Sequence, residues 1–265
     1  MKLIKSVLVF LLILVCVYFV FPDNYLKSVA YKIRDVISNL DLNYLQDSDK
    51  SHQPYYCFEH YETLDNEDDK KHVYNFLVAG HTYGHSSIIN NDGFYPKFYD
   101  NLLEINNIQS IDFIVLTGDV VQNSTIKSWD VIKQQLCTLG LRAYIAPGNH
   151  DVGSGEDNTK RDVFKNQFGE TYFYYYHKKD LFIVLDPNID NGDISGDQLR
   201  FLVNILKTKE KVNNIFVFSH QVIWYSDFFD GLIPNNNYTD TTNYWSTIAP
   251  LLENQKENVY LIAGD

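Results

Sequence analysis

The sequence has few of the features that define several common protein classes. Its 265 residues include three cysteines, which form neither a CxxC pair nor the framework of a disulfide-rich protein. Positive charge is scarce, with 22 Lys and Arg against 34 Asp and Glu, and the net charge of −12 excludes nucleic-acid binding through bulk charge. Repeats, low-complexity tracts and a GxSxG motif are all missing, so neither a repeat protein nor a serine hydrolase is supported.

What the composition does provide is material for a folded core. Hydrophobic residues make up 45% of the chain, and 20 Tyr and 17 Phe make it rich in aromatic side chains. That content excludes a disordered chain, and the length permits one large domain or two small ones. Cys57 and Cys137 are either unpaired or joined in a disulfide, and the sequence leaves both alternatives open.

Residues 1–22 are predicted to be a targeting segment. Lys2 and Lys5 precede the uncharged, mainly apolar run Ser6–Phe21, whose 16 residues are slightly fewer than the roughly 20 that a spanning helix needs. We expect an uncleaved membrane anchor, with a cleaved signal peptide as the alternative. In either case the positive-inside rule predicts an extracytoplasmic catalytic domain, which is membrane-anchored or, after cleavage, secreted or periplasmic.

Two further segments follow this N-terminal segment. Residues 23–72 combine an amphipathic helical pattern over Asp23–Leu42 with a polar, acidic linker. Residues 73–265 contain short apolar runs that alternate with helical patterns, which is typical of an α/β domain. We therefore predict one folded domain over residues 73–265.

The predicted domain is organised around a βαβ unit at Thr117–Asp151. A short apolar run precedes the polar cluster at each end of this stretch, and each run predicts a buried strand. The helix between the strands has apolar side chains at steps of three and four, namely Trp129, Ile132, Leu136 and Leu139. A later helix is predicted to begin with a capping box formed by Ser195 and Gln198.

Polar residues follow five of the predicted strands at the point where each strand ends. They are His81, Asp119, Asn149-His150-Asp151, His220 and Asp265. If these strands share a direction, their carboxyl ends bring the five clusters to one edge. His, Asp and Asn are suitable ligands for Mn, Fe or Zn, and the two oxygens of Asp119 can bridge two cations. The pattern therefore predicts a site for two divalent metal ions.

The order of these motifs resembles that of the calcineurin-like metallophosphoesterases. The matching residues are Gly118-Asp119, Gly148-Asn149-His150-Asp151 and His220, within a resemblance that covers roughly Val73–Asp265. The resemblance implies an α/β fold in which two mixed β-sheets pack as a sandwich flanked by helices, in four layers. It also implies a metal-dependent hydrolase of phosphate mono- or diesters with a dinuclear centre.

The resemblance also assigns roles to individual residues. His150 is expected to be catalytic, because in this family it gives a proton or a hydrogen bond to the leaving group. Asp151 is expected to be catalytic through the orientation of His150. The expected metal ligands are His81, Asp119, Asn149, His220 and Asp265. A phosphoester is the expected substrate, and the membrane is the expected partner of the N-terminal segment.

The first and last motifs depart from the family pattern. The family has D-x-H where this chain has His81 and Tyr83, and it has GH-x-H where this chain has Gly264-Asp265. We interpret this as a reciprocal exchange, in which His81 and Asp265 each supply the ligand type that the other position lost. Tyr83 is either a phenolate ligand or a hydroxyl beside the ligands. Because the sequence stops at Asp265, either it is truncated there or one metal site lacks a ligand.

A second interpretation is a catalytically inactive relative. Such a protein would be an envelope protein that uses the same scaffold to bind a partner or a glycan. The altered first and last motifs favour this interpretation. The intact Asp119, Asn149, His150 and His220 favour the hydrolase.

Overall fold

The structure is a computed structural model that describes residues 73–85, 91–108, 111–153, 159–224 and 242–265. The predicted anchor (residues 1–22) and the predicted helix and linker (residues 23–72) lie outside these ranges. No helix within the described ranges is both long and apolar enough to cross a membrane.

The described strands form two sheets. The first contains β1 (Phe76–Ala79), β2 (Phe113–Leu116) and β3 (Ala143–Ile145), in that order and all parallel. The second contains β4 (Phe173–His177), β5 (Asp180–Val184), β6 (Asn214–Ser219) and β7 (Asn258–Ala263), in that order. In the second sheet β4 is antiparallel to β5, whereas β5, β6 and β7 are parallel.

Helices connect most of these strands. The described helices are α1 (Pro96–Ile108), α2 (Ile126–Leu139), α3 (Asn149–Val152), α4 (Thr159–Phe168), α5 (Gly196–Thr208) and α6 (Ala249–Glu253). A 3₁₀ turn spans Pro187–Ile189, and a π-helical turn, Tyr244–Ile248, runs into α6.

The predicted central unit is confirmed as β2-α2-β3. The two strands are parallel, with Ile114 opposite Ala143 and Leu116 opposite Ile145. The four apolar side chains predicted for the inner face of α2 are all buried. The helix therefore covers one face of the first sheet, as its periodicity predicts.

The alternation of side chains along β2 divides the interior into two cores. Ile114 and Leu116 pack with the helices of the first sheet. Phe113 and Val115 point the other way, into a core shared with the second sheet. There the ring of Phe113 lies 5.4 Å from that of Phe182. These contacts between the sheets confirm the predicted sandwich. Aromatic side chains form much of the core between the two sheets.

The structure corrects two predictions of local structure. Cys137 is disulfide-bonded, so the unpaired alternative is wrong for this residue; the other cysteines lie outside the described ranges. Ser195 does begin α5, but its side chain makes no capping hydrogen bond. The predicted capping box is wrong because Gln198 bonds instead to both backbone groups of Asp186, a tertiary contact that the local pattern does not encode.

Candidate metal centre

The polar clusters that follow β1 and β2 begin with residues in an unusual backbone conformation. His81 and Asp119 both have left-handed backbones, with φ of 50° and 51°. The backbone N–H of His81 donates to the Gly118 carbonyl at 3.0 Å, so the two turns hold each other. A non-glycine residue in this region costs on the order of 1 kcal/mol. Surrounding structure therefore holds both side chains in directions that ordinary strand ends would not give.

A single carbonyl group, that of Thr117, joins the two sheets at this edge. It accepts a hydrogen bond from His220 Nδ1 at 2.9 Å. Gly264 packs so tightly against the same carbonyl that a Cβ at this position would overlap it. The N–H groups of Gly264 and Asp265 both donate to the His220 carbonyl at 2.9 Å. The ends of β2, β6 and β7 therefore meet at one point.

Three of the predicted ligands converge there and form a group that we call the metal cluster: His81, Asp119 and His220. One ligand atom from each lies within 4.8 Å of the others. His81 Nδ1 is 3.6 Å from one carboxylate oxygen of Asp119, and His220 Nε2 is 3.4 Å from the other. Asp119 therefore lies between the two imidazoles, with one oxygen facing each.

The orientation of the His220 ring indicates that these residues fit a cation. Because Nδ1 donates to a carbonyl, the proton of the neutral ring is on Nδ1 and Nε2 carries a lone pair. Nε2 is buried and has no hydrogen-bond partner in the described part of the chain. It faces a carboxylate oxygen, and two acceptors in contact repel each other unless positive charge lies between them. With a second imidazole beside the same carboxylate, this donor set suits a divalent ion such as Mn, Fe or Zn.

Asp265 reaches this group through His81. Its carboxylate oxygen lies 3.3 Å from His81 Nε2. This hydrogen bond is the main cause that raises the pKa of His81, against the opposing effect of burial. The two residues at which the chain departs from the family motifs are thus in direct contact.

Asn149 and His150 lie at the start of α3. The His150 backbone N–H donates to an Asp119 oxygen at 3.1 Å, which places this turn beside the metal cluster. His150 Nδ1 is 2.7 Å from the Gln122 carbonyl, so this nitrogen carries a proton. The ring of Tyr83 lies 5.1 Å from that of His150. The predicted catalytic residue His150 is therefore next to the predicted ligands, and its Nδ1 is used in the hydrogen bond to Gln122.

Asp151 has a different position from the one expected for it. Its buried carboxylate accepts hydrogen bonds from the N–H groups of Val120, Val121 and Gly148. Burial and the nearby Asp119 raise the pKa of Asp151 to about 7, while these N–H groups lower it. Asp151 ties the loop after β2 to the loop after β3. The His150 ring is oriented by a backbone carbonyl, and a catalytic role for Asp151 stays a prediction.

Tyr83 is buried, with 4% of its surface exposed. Its ring centroid is 6.0 Å from that of His81. Burial, followed by the charge of Asp119, raises the pKa of Tyr83 above its ordinary value. In the metal-free chain this favours the neutral hydroxyl over the phenolate.

Sequence reasoning missed the groups that orient these side chains. The carbonyls of Thr117 and Gln122 hold the two histidine rings. Every residue has a backbone carbonyl, so the residue type does not predict which carbonyl orients a side chain. Gln221 and Asn188, which form a buried hydrogen bond beside the site, were also missed. The position of Gln221 directly after His220 was the one available signal.

An α/β sandwich with a His and Asp cluster at its strand ends has the architecture of a metal-binding protein. The model of the calcineurin-like phosphoesterase family matches residues 60–265, and the chain belongs to that family. This is the family that the order of the motifs predicted. The match begins within the segment predicted to be a linker.

Two similar proteins illustrate the likeness. A probable glycerophosphodiester phosphodiesterase, GpdQ, from Arcobacter nitrofigilis is 28% identical over 93 residues, which are 35% of this chain and 31% of that protein. The chain thus spans about a third of the length of this relative. The structure of purple acid phosphatase PPD1 from yellow lupin (Lupinus luteus) seeds has a TM-score of 0.46 at 18% identity, covering 60% of this chain and 32% of that chain.

Proposed function

We propose that the protein hydrolyses phosphate diesters at a dinuclear metal centre outside the cytoplasmic membrane. The observation that carries the proposal is the convergence of His81, Asp119 and His220 at strand ends, in a chain of this family. A diester is proposed over a monoester because the partial match is to a probable glycerophosphodiester phosphodiesterase.

The two ions would be held by side chains from both sheets. His81, Asp119 and Asp265 would supply one group of donors, and Asn149 and His220 would complete the set. Bound divalent ions at such a site supply charge for the phosphoryl oxygens and lower the pKa of water.

His150 is the proposed proton donor to the leaving group. Its Nδ1 proton is donated to the Gln122 carbonyl, so the proton given to the leaving group is one that Nε2 carries in the doubly protonated ring and regains from solvent after each turnover. The hydrogen bond from the His150 N–H to Asp119 holds this ring close to the metal cluster. A positioned acid of this kind contributes on the order of 10² to 10⁴ in rate.

An extracytoplasmic location is supported by two features. Lys2 and Lys5 precede an uncharged apolar run, the charge layout of an anchor or a signal peptide. Cys137 is disulfide-bonded, and disulfides persist in oxidising compartments. Protease added to spheroplasts, whose cytoplasmic membrane is intact, should degrade the domain or find it already released; full protection until that membrane is lysed would contradict the location.

The function is tested with the purified full-length chain. Elemental analysis should find divalent Mn, Fe or Zn at a ratio of about two ions per chain, as a two-metal mechanism requires. The metal-loaded protein should hydrolyse bis(p-nitrophenyl) phosphate and a glycerophosphodiester faster than p-nitrophenyl phosphate. Bound metal without hydrolysis of any of these esters would favour the alternative, an inactive binding protein. Faster cleavage of the monoester would make the protein a monoesterase.

The exchange of ligand types between His81 and Asp265 has its own test. His81→Asp and Asp265→His should each weaken metal binding, because each single change leaves two ligands of the same type in contact. The double variant restores one His and one Asp and should recover affinity relative to both single variants. Equal losses that add in the double variant would show that the two positions do not exchange roles.

A further inference from the structure

A chain of buried amide side chains connects the two sheets beside the metal centre. The Pro147 carbonyl, two residues before Asn149, accepts a hydrogen bond from Asn188 Nδ2 at 3.1 Å. The Asn188 side-chain oxygen accepts a hydrogen bond from the amide nitrogen of Gln221, the residue after His220. Both amide residues are 1% exposed, so bulk water cannot replace either partner.

The two amides can be oriented in only one way. Asn188 Nδ2 lies 3.1 Å from the Pro147 carbonyl and 2.9 Å from a carboxylate oxygen of Asp186. Both neighbours are acceptors, so this atom must be the amino group. The oxygen of Asn188 therefore faces Gln221, which must present its own amino group. Rotation of either amide would bring two acceptors together, and the chain of bonds is specific for Asn and Gln.

A buried ion pair anchors this chain of bonds. Asp186, whose side chain is fully buried, pairs with Arg161 of α4. Its second carboxylate oxygen accepts from both the backbone and the side-chain nitrogen of Asn188, at 3.0 and 2.9 Å. Gln198 of α5 bonds to the N–H and the carbonyl of Asp186, at 2.6 and 3.0 Å. The Asp186–Arg161 pair therefore fixes the position of Asn188. Asn188 does not move when Pro147 or Gln221 moves.

The amide of Gln221 is not needed for packing alone. Its oxygen is buried and has no hydrogen-bond donor in the described part of the chain. An apolar side chain of similar size would fill the same space without a buried acceptor that lacks a donor. The amide is favourable only through its bond to Asn188.

We propose that Asn188 and Gln221 are positioning residues for the metal centre. They set the distance between the end of β6, which carries His220, and the loop after β3, which carries Asn149. These ligands come from different sheets, and they can share a centre only if the sheet edges keep one spacing. This role rests on the proposed function, because it concerns the same site.

The test compares metal affinity with stability in the full-length chain. Asn188→Leu removes both ends of the link, and Gln221→Met removes one end with little change in volume. Gln198→Leu is the matched control, because it removes an equally buried amide from the same anchor without touching Pro147 or Gln221. After chelation, Mn²⁺ alone is titrated by calorimetry, and thermal unfolding is measured with chelator present.

The Asn188 and Gln221 variants should raise the dissociation constant for Mn²⁺ by about 10- to 100-fold, the usual effect of groups that orient metal ligands. The Gln198 variant should unfold at a lower temperature and bind Mn²⁺ as the wild type does. Folded Asn188 and Gln221 variants with wild-type affinity would overturn the proposal, as would equal weakening in all three variants.

Two further outcomes are also decisive. If Asn188→Leu does not fold, Gln221→Met decides alone, because it keeps the Pro147 bond and the Asp186 anchor. If the wild type binds no Mn²⁺ while it is folded, the proposed function fails first and this role fails with it. Failure of the positioning role alone is recognised by a wild type that binds Mn²⁺ and a Gln221 variant that binds it equally well.

Discussion

Two clusters of His and Asp residues lie at opposite edges of the sandwich, and only one has the properties of a metal site. The metal cluster lies at the carboxyl ends of the strands. At the other edge Tyr74, His177, Asp180 and Asn214 form a group that we call the closed cluster. Its carboxylate, that of Asp180, accepts hydrogen bonds from the Tyr74 hydroxyl at 2.5 Å and from the Asn214 backbone and side chain at 3.1 and 2.8 Å.

The difference between the clusters lies in how their lone pairs are used. Three donors converge on Asp180, so that carboxylate is satisfied without a cation. The buried carboxylate of Asp119 instead faces His220 Nε2 at 3.4 Å, and that nitrogen has no hydrogen-bond partner in the described part of the chain. Residue type alone does not distinguish the two clusters, since both contain a buried Asp beside a His. The orientation of donors and acceptors does, and four experiments test that distinction.

The largest effect is expected from one substitution made in both clusters. Asp119→Asn should lose the bound ions and lower kcat by roughly 10³-fold, because metal ions contribute several kcal/mol to phosphoryl transfer. Asp180→Asn should keep both the ions and kcat and only lower the free energy of unfolding. Elemental analysis and steady-state kinetics on the two variants check this. Loss of metal in Asp180→Asn would remove the distinction between the clusters.

The next effect separates a catalytic histidine from a structural one. His150→Ala should lower kcat by on the order of 10² to 10⁴, because it removes the proton donor, while the ions stay bound. His177→Ala, at the closed cluster, should leave kcat unchanged. Metal content and turnover are measured on the same preparations. If metal is lost together with activity, His150 is a ligand and the proposed mechanism is wrong.

A smaller effect is expected when one donor is removed from the closed cluster. Tyr74→Phe should lower the free energy of unfolding by about 1 to 3 kcal/mol, because it removes a hydrogen bond to a buried carboxylate. Urea unfolding with chelator present measures the loss. The dissociation constant for Mn²⁺ should not change; if it does, the two edges are energetically coupled.

The smallest effect is expected in the pH dependence of the free energy of unfolding, through His177. Burial lowers the pKa of His177, and its Nε2 is buried without a hydrogen-bond partner in the described part of the chain. A folded-state pKa below the unfolded value means that the unfolded chain binds the proton more readily, so stability falls as pH falls below about 6.5. His177→Gln should reduce this slope. The urea midpoints of both proteins between pH 7 and pH 5 give the difference, and parallel curves would contradict it.

Much of the metal centre could be predicted from the sequence, because its residues have metal-binding side chains and directly follow predicted strands. Asp119 and His220 have both signals, and α2 between them has a clear apolar period. The sequence pattern does not show that the strand ends belong to different sheets, because sheet membership depends on long-range pairing. It also does not reveal the Thr117 carbonyl that joins them. The capping box failed for a related reason, since Gln198 takes a partner from another element.

The contact between His81 and Asp265 has a consequence for how the protein acquires its metal. The two residues are 184 positions apart in the chain. Contacts of such long separation form only after most of a domain is ordered. We therefore expect the ions to enter a nearly finished fold and then to hold its first and last described strands together, as a reversible cross-link. When divalent metal is scarce in the cell, the activity of each protein molecule would fall. The amount of the protein would also fall, because a metal-free chain that opens more often is more readily degraded.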